Sequence, residues 1–193
     1  MPVKIIPIVE GHGDVASVPI LLRRIAQTLN VYDAQVGKPI RCSRHKLVKP
    51  GELERAIELA VLKGGNEGRV LLLVDADDDC PAELGTALLA RAQKARADIS
   101  IGVVLAKQEF EAWFLGSLES LRNEYGNPPR EGLHREPEEI PGAKETLSNL
   151  LGIPYSEVVD QPAMAERFDM DAARESCPSF DKCWRTVQAL LGH

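Results

Sequence analysis

Four carboxylates occupy five consecutive positions in Asp75-Ala-Asp77-Asp78-Asp79, directly after the apolar run Val70-Leu-Leu-Leu-Val74. Like charges at that density repel, and a carboxylate taken out of water needs a paired cation or a metal ion. Oxygen ligands of this kind suit a hard divalent cation, Mg²⁺ or Mn²⁺. Another acid, Glu10, also closes an apolar run and opens the motif Glu10-Gly11-His12-Gly13-Asp14. Gly11 and Gly13 permit a tight strand-to-helix turn in which a phosphate approaches the backbone, with His12 beside it. Glu109 and Glu111 follow a further apolar run, and Lys107 is read either as steadying a leaving phosphate or as a surface lysine. The chemistry indicated is the binding of a hard cation among carboxylates, beside a turn that a phosphate can approach. Glu10, Asp75 and Asp77 are its expected centre, and Asp79, Glu109 and Glu111 are further candidate ligands. In an extended segment Asp75 and Asp77 point to one side and Asp78 to the other, so Asp78 is expected to face water. The competing reading is a solvated acidic turn, because acids follow buried strands in many unrelated folds.

These residues need a frame that brings separate strand ends together. Lys4–Val9, Val70–Val74 and Ser100–Leu105 are β-branched or wholly apolar runs of strand length, and Pro39–Lys46 is a shorter candidate. Between them lie helical periodicities: from Asp14, the expected N-cap, through Leu29; from Pro50 to the Gly64-Gly65 stop; and from Pro81 to about Ala97. A helix also begins around Glu109-Phe-Glu-Ala-Trp113. Strand and helix alternate, which implies a parallel sheet with helices on both faces and right-handed crossovers. If the first strand and Val70–Val74 lie side by side, Glu10 comes close to Asp75 and Asp77. Trp113 and Phe114 are expected in the core beneath the site. Residues 1–121 therefore form an α/β domain. Residues 122–142, rich in Pro, Gly and charge, are a linker or loop, and 143–193 a helical extension packed on the core. Its expected helices are Ala143–Leu151, Tyr155–Glu166, Asp169–Glu175 and Phe180–Leu191.

The composition is that of a globular protein, 44% hydrophobic and 27% charged. The N-terminus lacks a signal-peptide pattern and no apolar run is long enough to cross a bilayer, so a cytoplasmic protein without membrane association is expected. Four cysteines without a C-x-x-C pair argue against structural zinc and a disulfide framework. A net charge of −6 argues against nonspecific coating of nucleic acid, but bound cations would restore local attraction for phosphate. Arg41, Arg44, His45 and Lys46 cluster beside the presumed site, as a grip on a nucleic-acid backbone or as a solvated strand edge.

Glu10-Gly11 after the first strand and Asp75-Ala-Asp77 after a later one resemble the Toprim domain of topoisomerases, bacterial primases and OLD-type nucleases. Val9-Glu-Gly-His-Gly-Asp14, Val74-Asp-Ala-Asp77, Glu109-x-Glu-Ala-Trp113-Phe and Pro178-Ser-Phe-Asp-Lys182 resemble a group of small bacterial Toprim-like proteins over nearly the whole chain. The resemblance implies a Toprim-like Rossmannoid fold and Mg²⁺-dependent phosphodiester chemistry. Glu10 would be general acid/base or ligand, and Asp75 and Asp77 would hold the cation. No tyrosine stands in a nucleophile's setting and the chain is short for a DNA gate, which leaves a nuclease acting on DNA ahead of RNA, oligomeric or not. Likeness to OLD-type nucleases implies anti-phage defence or genome maintenance and an ATPase partner. The alternatives are a non-catalytic module regulating such an ATPase and a small-molecule phosphatase. The Asp-x-Asp of haloacid-dehalogenase-type phosphatases fits less well, since that motif follows the first strand.

Overall fold

The computed structural model describes residues 2–65, 68–125 and 132–192. Five strands form one parallel sheet: β1 (Lys4–Val9), β2 (Gln35–Val36), β3 (Ile40–Arg41), β4 (Gly68–Asp75) and β5 (Ile101–Ala106). β1 is central. It pairs with β4 along its whole length, from Lys4 opposite Gly68 to Val9 opposite Leu73. On its other side β2 pairs with its first half and β3 with its second. β5 lies outside β4, with Asp75 opposite Ala106. The expected strand over Pro39–Lys46 is thus only two residues long, and α2 (Arg44–Leu47) begins where it was to continue.

Alternation along the strands divides the apolar residues between two cores. Ile6, Ile8, Val70, Leu72, Val74, Val103 and Leu105 face α2, α3 (Glu52–Gly64) and α4 (Pro81–Ala95). Ile5, Val9, Leu71, Leu73 and Val104 face the opposite way, onto α1 (His12–Thr28), α5 (Glu111–Leu115) and the C-terminal helices. A parallel sheet needs both faces covered, and here the last third of the chain covers much of one. After α6 (Leu118–Tyr125) and a 3₁₀ turn at Pro137–Glu139 come α7 (Ala143–Leu151), α8 (Asp160–Ala165), α9 (Met170–Ser176) and α10 (Pro178–Leu191). α8 packs on α1, and α10 on β5 and α1. The stretch expected as a helix from Tyr155 becomes helical only at Asp160, and part of the expected linker, 126–131, lies outside the described residues. Phe110, Trp113, Phe114, Phe168 and Phe180 form a chain of ring contacts at the centre of this core, and Trp113 and Phe114 are fully buried as expected. All four cysteines are unpaired, and no helix among the described residues is long and apolar enough to cross a membrane.

The tightest approach between the two parts of the chain is at Gly13 in the first turn of α1. A Cβ there would collide with the Gln161 side chain and lie 2.5 Å from the Glu157 carbonyl oxygen. Gly13 is thus a packing glycine for the segment leading into α8. Replacing it with Ala forces that segment off the helix, and overpacking of this kind costs about 1–3 kcal/mol. A Gly13→Ala variant is expected to unfold at correspondingly lower urea concentration, measured by circular dichroism, while an Ala at Gly132, where an added Cβ meets nothing, leaves the midpoint unchanged.

Candidate functional site

The parallel register sets the strand ends level, and three connecting segments leave the same edge of the sheet. Glu10 is the first residue beyond β1. Its Oε1 accepts a hydrogen bond from the Arg44 main-chain N–H at 3.0 Å, whereas its Oε2 is buried with no partner. α1 starts at His12, earlier than expected, so Asp14 is not the N-cap. It occupies the third helical position and completes a capping interaction: Asp14 Oδ2 accepts from the Gly11 N–H at 2.8 Å. Its Oδ1 accepts from Gln161 Nε2 at 3.0 Å, which ties the site to α8.

Asp75 ends β4 and its Oδ1 accepts from the Phe110 N–H at 2.9 Å, a bond that fixes the turn leading into α5. Burial pushes the Asp75 carboxyl well above the usual carboxylate range. Repulsion from Asp14, Glu111 and Glu10 adds to the shift, and only Lys144 opposes it. The extended conformation expected through Asp77 does not occur. Asp77 has φ of 47°, in the left-handed region that Asp tolerates better than most residues. It forms an isolated bridge with Gln108, itself at φ 64°, so the loops after β4 and β5 hold each other in place. The Asp77 carboxylate accepts from Arg44 Nη2 at 2.8 Å, and Arg44 Nη1 reaches Asp79. Asp78 is exposed, as expected.

Glu111 is the first residue of α5 and has no exposed surface. Tyr155 donates its hydroxyl proton to Glu111 Oε1 at 2.7 Å, and Glu111 Oε2 has no partner. Burial raises this carboxyl to about 7 against the opposing pull of Lys144 and the Tyr155 hydrogen bond. Burial likewise raises the Tyr155 hydroxyl, and adjacent Glu111 raises it further, so the phenol stays protonated. Lys144, at the start of α7, is 2.6 Å from Glu157. Burial works against its charge, but Glu111, Glu157 and Glu109 outweigh that and raise its pKa.

These groups surround a cavity of about 250 Å³ lined by six carboxylate residues, Glu10, Asp14, Asp75, Asp77, Glu111 and Glu157, and by one lysine, Lys144. Gly11 and Gln161 complete the wall. Of the residues expected from sequence, the structure brings together Glu10, Gly11, Asp75, Asp77 and Glu111. It does not bring the others into the cavity wall. Asp79 is turned to Arg44. Glu109 accepts the Lys144 N–H at 3.1 Å, at the start of α7. Lys107 has its N–H on Ser179 Oγ, His12 is exposed, and Gly13 is covered by Gln161 and the Glu157 backbone, leaving no room for a phosphate there. Sequence reasoning missed Asp14, Lys144, Glu157 and Gln161 as wall residues, and Tyr155 as the partner of Glu111. The Asp14 role was open to a helix-start reading shifted by three residues. The others carry no local signal.

The wall suits a hard cation by composition: oxygen donors only, excess negative charge, and two buried carboxylate oxygens without donors. Among the described residues no three carboxylate, imidazole or thiol side chains are already gathered into one coordination shell.

None of the curated proteins matches the chain. Among solved structures it is similar to the C-terminal region of the OLD protein of Xanthomonas campestris pv. campestris, phased with iodine. That likeness has 15% identity over 97% of this chain and 95% of that one, with a TM-score of 0.47. The same region phased with mercury is similar at 13% identity, covering 97% and 96%, with a TM-score of 0.36. The family model described as a domain of unknown function, DUF4276, matches residues 9–188, nearly the whole α/β fold and every wall of the carboxylate cavity, and the chain belongs to that family.

Proposed function

We propose that the cavity takes up a divalent cation, Mg²⁺ or Mn²⁺, and that the protein hydrolyses phosphodiester bonds in nucleic acid. The observation that carries this reading is the crowding of six carboxylates and one lysine around one cavity at the C-terminal edge of a parallel sheet, with Glu10 Oε2 and Glu111 Oε2 buried and unpartnered. Open α/β sheets bind ligands at this edge. The Toprim-like order of Glu10-Gly11, Asp75-Ala-Asp77 and Glu109-x-Glu111 supports it independently. Glu10, Asp75 and Asp77 would hold the cation, with Asp14 and Glu111 beside them. A cation so held supplies neutralising charge to a phosphoryl oxygen. The chain's own groups do the rest. Glu111 Oε2, on a carboxyl near neutral pKa, accepts or returns a proton at the cavity wall. Lys144, beside Glu157 and Glu111, contributes positive charge to the wall. Arg44 holds Asp77 and Asp79 in place.

Titration calorimetry with Mg²⁺ and Mn²⁺, run beside cleavage of plasmid, single-stranded DNA and RNA, tests the reading. Glu10→Gln and Asp75→Asn are expected to weaken cation binding and to lower cleavage by roughly a hundredfold or more. Cleavage that survives both substitutions removes the site. A folded protein that binds the cation and cleaves no nucleic acid supports the regulatory module beside an ATPase, and one that hydrolyses only p-nitrophenyl phosphate supports the phosphatase.

The same wall sets a pH signature. Glu111 titrates at about 7 in the folded chain against 4.5 for an unperturbed glutamate, so folding takes up a proton between those values. The contribution to stability is fully present below the lower value and is lost as pH rises through the upper one. Asp75 acts in the same direction. With chelator present, the melting temperature is expected to fall by a few degrees from about pH 5 to about pH 8. Glu111→Gln, which keeps an acceptor for Tyr155, flattens that slope. An unchanged slope in the variant contradicts the assignment.

A further inference from the structure

Between Asp33 and Glu52 the chain has no carboxylate and five basic residues, Lys38, Arg41, Arg44, Lys46 and Lys49, together with His45, in a protein of net charge −6. The fold carries this run past the same sheet edge as the carboxylate cavity. Arg41 pairs with Val9 in the parallel ladder, and the Arg44 N–H bonds to Glu10 itself. The run is also held in shape from below. Arg91 of α4 donates to the Leu47, Val48 and Lys49 carbonyls at 3.0–3.1 Å, and its charge is taken up by Glu54. Leu47, the last residue of α2, is buried, an anchor that leaves the neighbouring side chains outside.

Within the run Arg44 is committed to Asp77 and Asp79. Arg41, His45, Lys46 and Lys49 are exposed and, among the described residues, make no ion pair. Seven arginines elsewhere face carboxylates, whereas Arg41 does not. The run thus presents the unpaired side chains of Arg41, Lys46 and Lys49 beside a cavity that is intensely negative.

We propose that the run Lys38–Lys49 is the nucleic-acid-binding surface, holding the phosphodiester backbone on one side of the cavity so that a neighbouring phosphate reaches it. The proposal rests on the phosphodiesterase reading for its substrate class. An acidic protein would meet repulsion from the six carboxylates next door. A membrane would find little to insert, because Val48 is the only large apolar side chain the run exposes. A phosphate backbone satisfies both neighbours, gripping the cations along one stretch and meeting the cation-loaded cavity at another.

The test is fluorescence anisotropy with a labelled single-stranded DNA, and an RNA of the same sequence, titrated with salt. R41Q/K46Q is compared with K63Q/K94Q, which removes the same charge at the opposite edge of the sheet, where Lys63 sits against Lys4. R41Q/K46Q is expected to lose roughly tenfold in affinity and to lower the log–log salt slope by about 1.4, with K63Q/K94Q binding like the wild type. Equal losses in the two variants, or an R41Q/K46Q slope matching the wild type, overturn the proposal. So does stronger competition from vesicles of anionic lipid or from polyglutamate than from unlabelled oligonucleotide. If R41Q/K46Q selectively loses binding while the wild type cleaves nothing, the surface stands and the nuclease reading falls.

Discussion

The parallel ladder between β1 and β4 is the constraint on which the rest of the molecule depends. Six consecutive residue pairs in register put the end of one strand level with the end of the other, so Glu10 and Asp75 emerge side by side whatever the loops do. β5 repeats the arrangement one strand further out and delivers Glu111 after a short turn. None of these carboxylates would choose that neighbourhood in isolation. The apolar strands beneath them gain far more from burial on both faces than the acids lose at the rim.

The protein answers the resulting repulsion with partners drawn from distant positions. Arg44 neutralises the outer acids, Asp77 and Asp79. Lys144 serves the inner ones, Gln161 and the Gly11 N–H hold Asp14, and Tyr155 takes one oxygen of Glu111. The accounting stops short of completion. One oxygen each on Glu10 and Glu111 lacks a donor, and Asp75 is driven toward its neutral form. A purely structural acid cluster would be expected to satisfy such groups or replace them, because a buried unpaired charge costs more than it returns.

Much of this was legible in the chain because strands buried on both faces leave continuous apolar runs, and acids placed after them stand out. Glu10, Asp75, Asp77 and Glu111 were readable on that basis, as were the alternating architecture and the core roles of Trp113 and Phe114. Where local backbone geometry decides, the reading failed. A period of two predicts an extended Asp77, but its left-handed backbone breaks the alternation. Residue type points to Asp14 as the helix boundary, whereas the boundary lies at Gly11 and the same carboxylate works from the third position. Glu109 and Glu111 look equivalent in sequence, yet one lies before the helix and holds the start of α7, and the other lies in it and faces inward. Lys144, Glu157 and Gln161 reach the cavity, and Tyr155 reaches Glu111, only through tertiary packing, and no spacing announces them.

The close seating of Glu157 and Gln161 on Gly13 has a consequence for the order of assembly. The two walls of the cavity are nearly 150 positions apart, as in the Asp14–Gln161 hydrogen bond. Closing so long a loop is entropically slow compared with forming the β1–β4 pair, whose partners are separated by fewer residues. A growing chain therefore carries its acidic strand ends open to solvent until α7 and α8 have been made and docked. Only then are the carboxylates desolvated and their proton affinities raised, so the chemical character of the site is acquired at the last stage of folding.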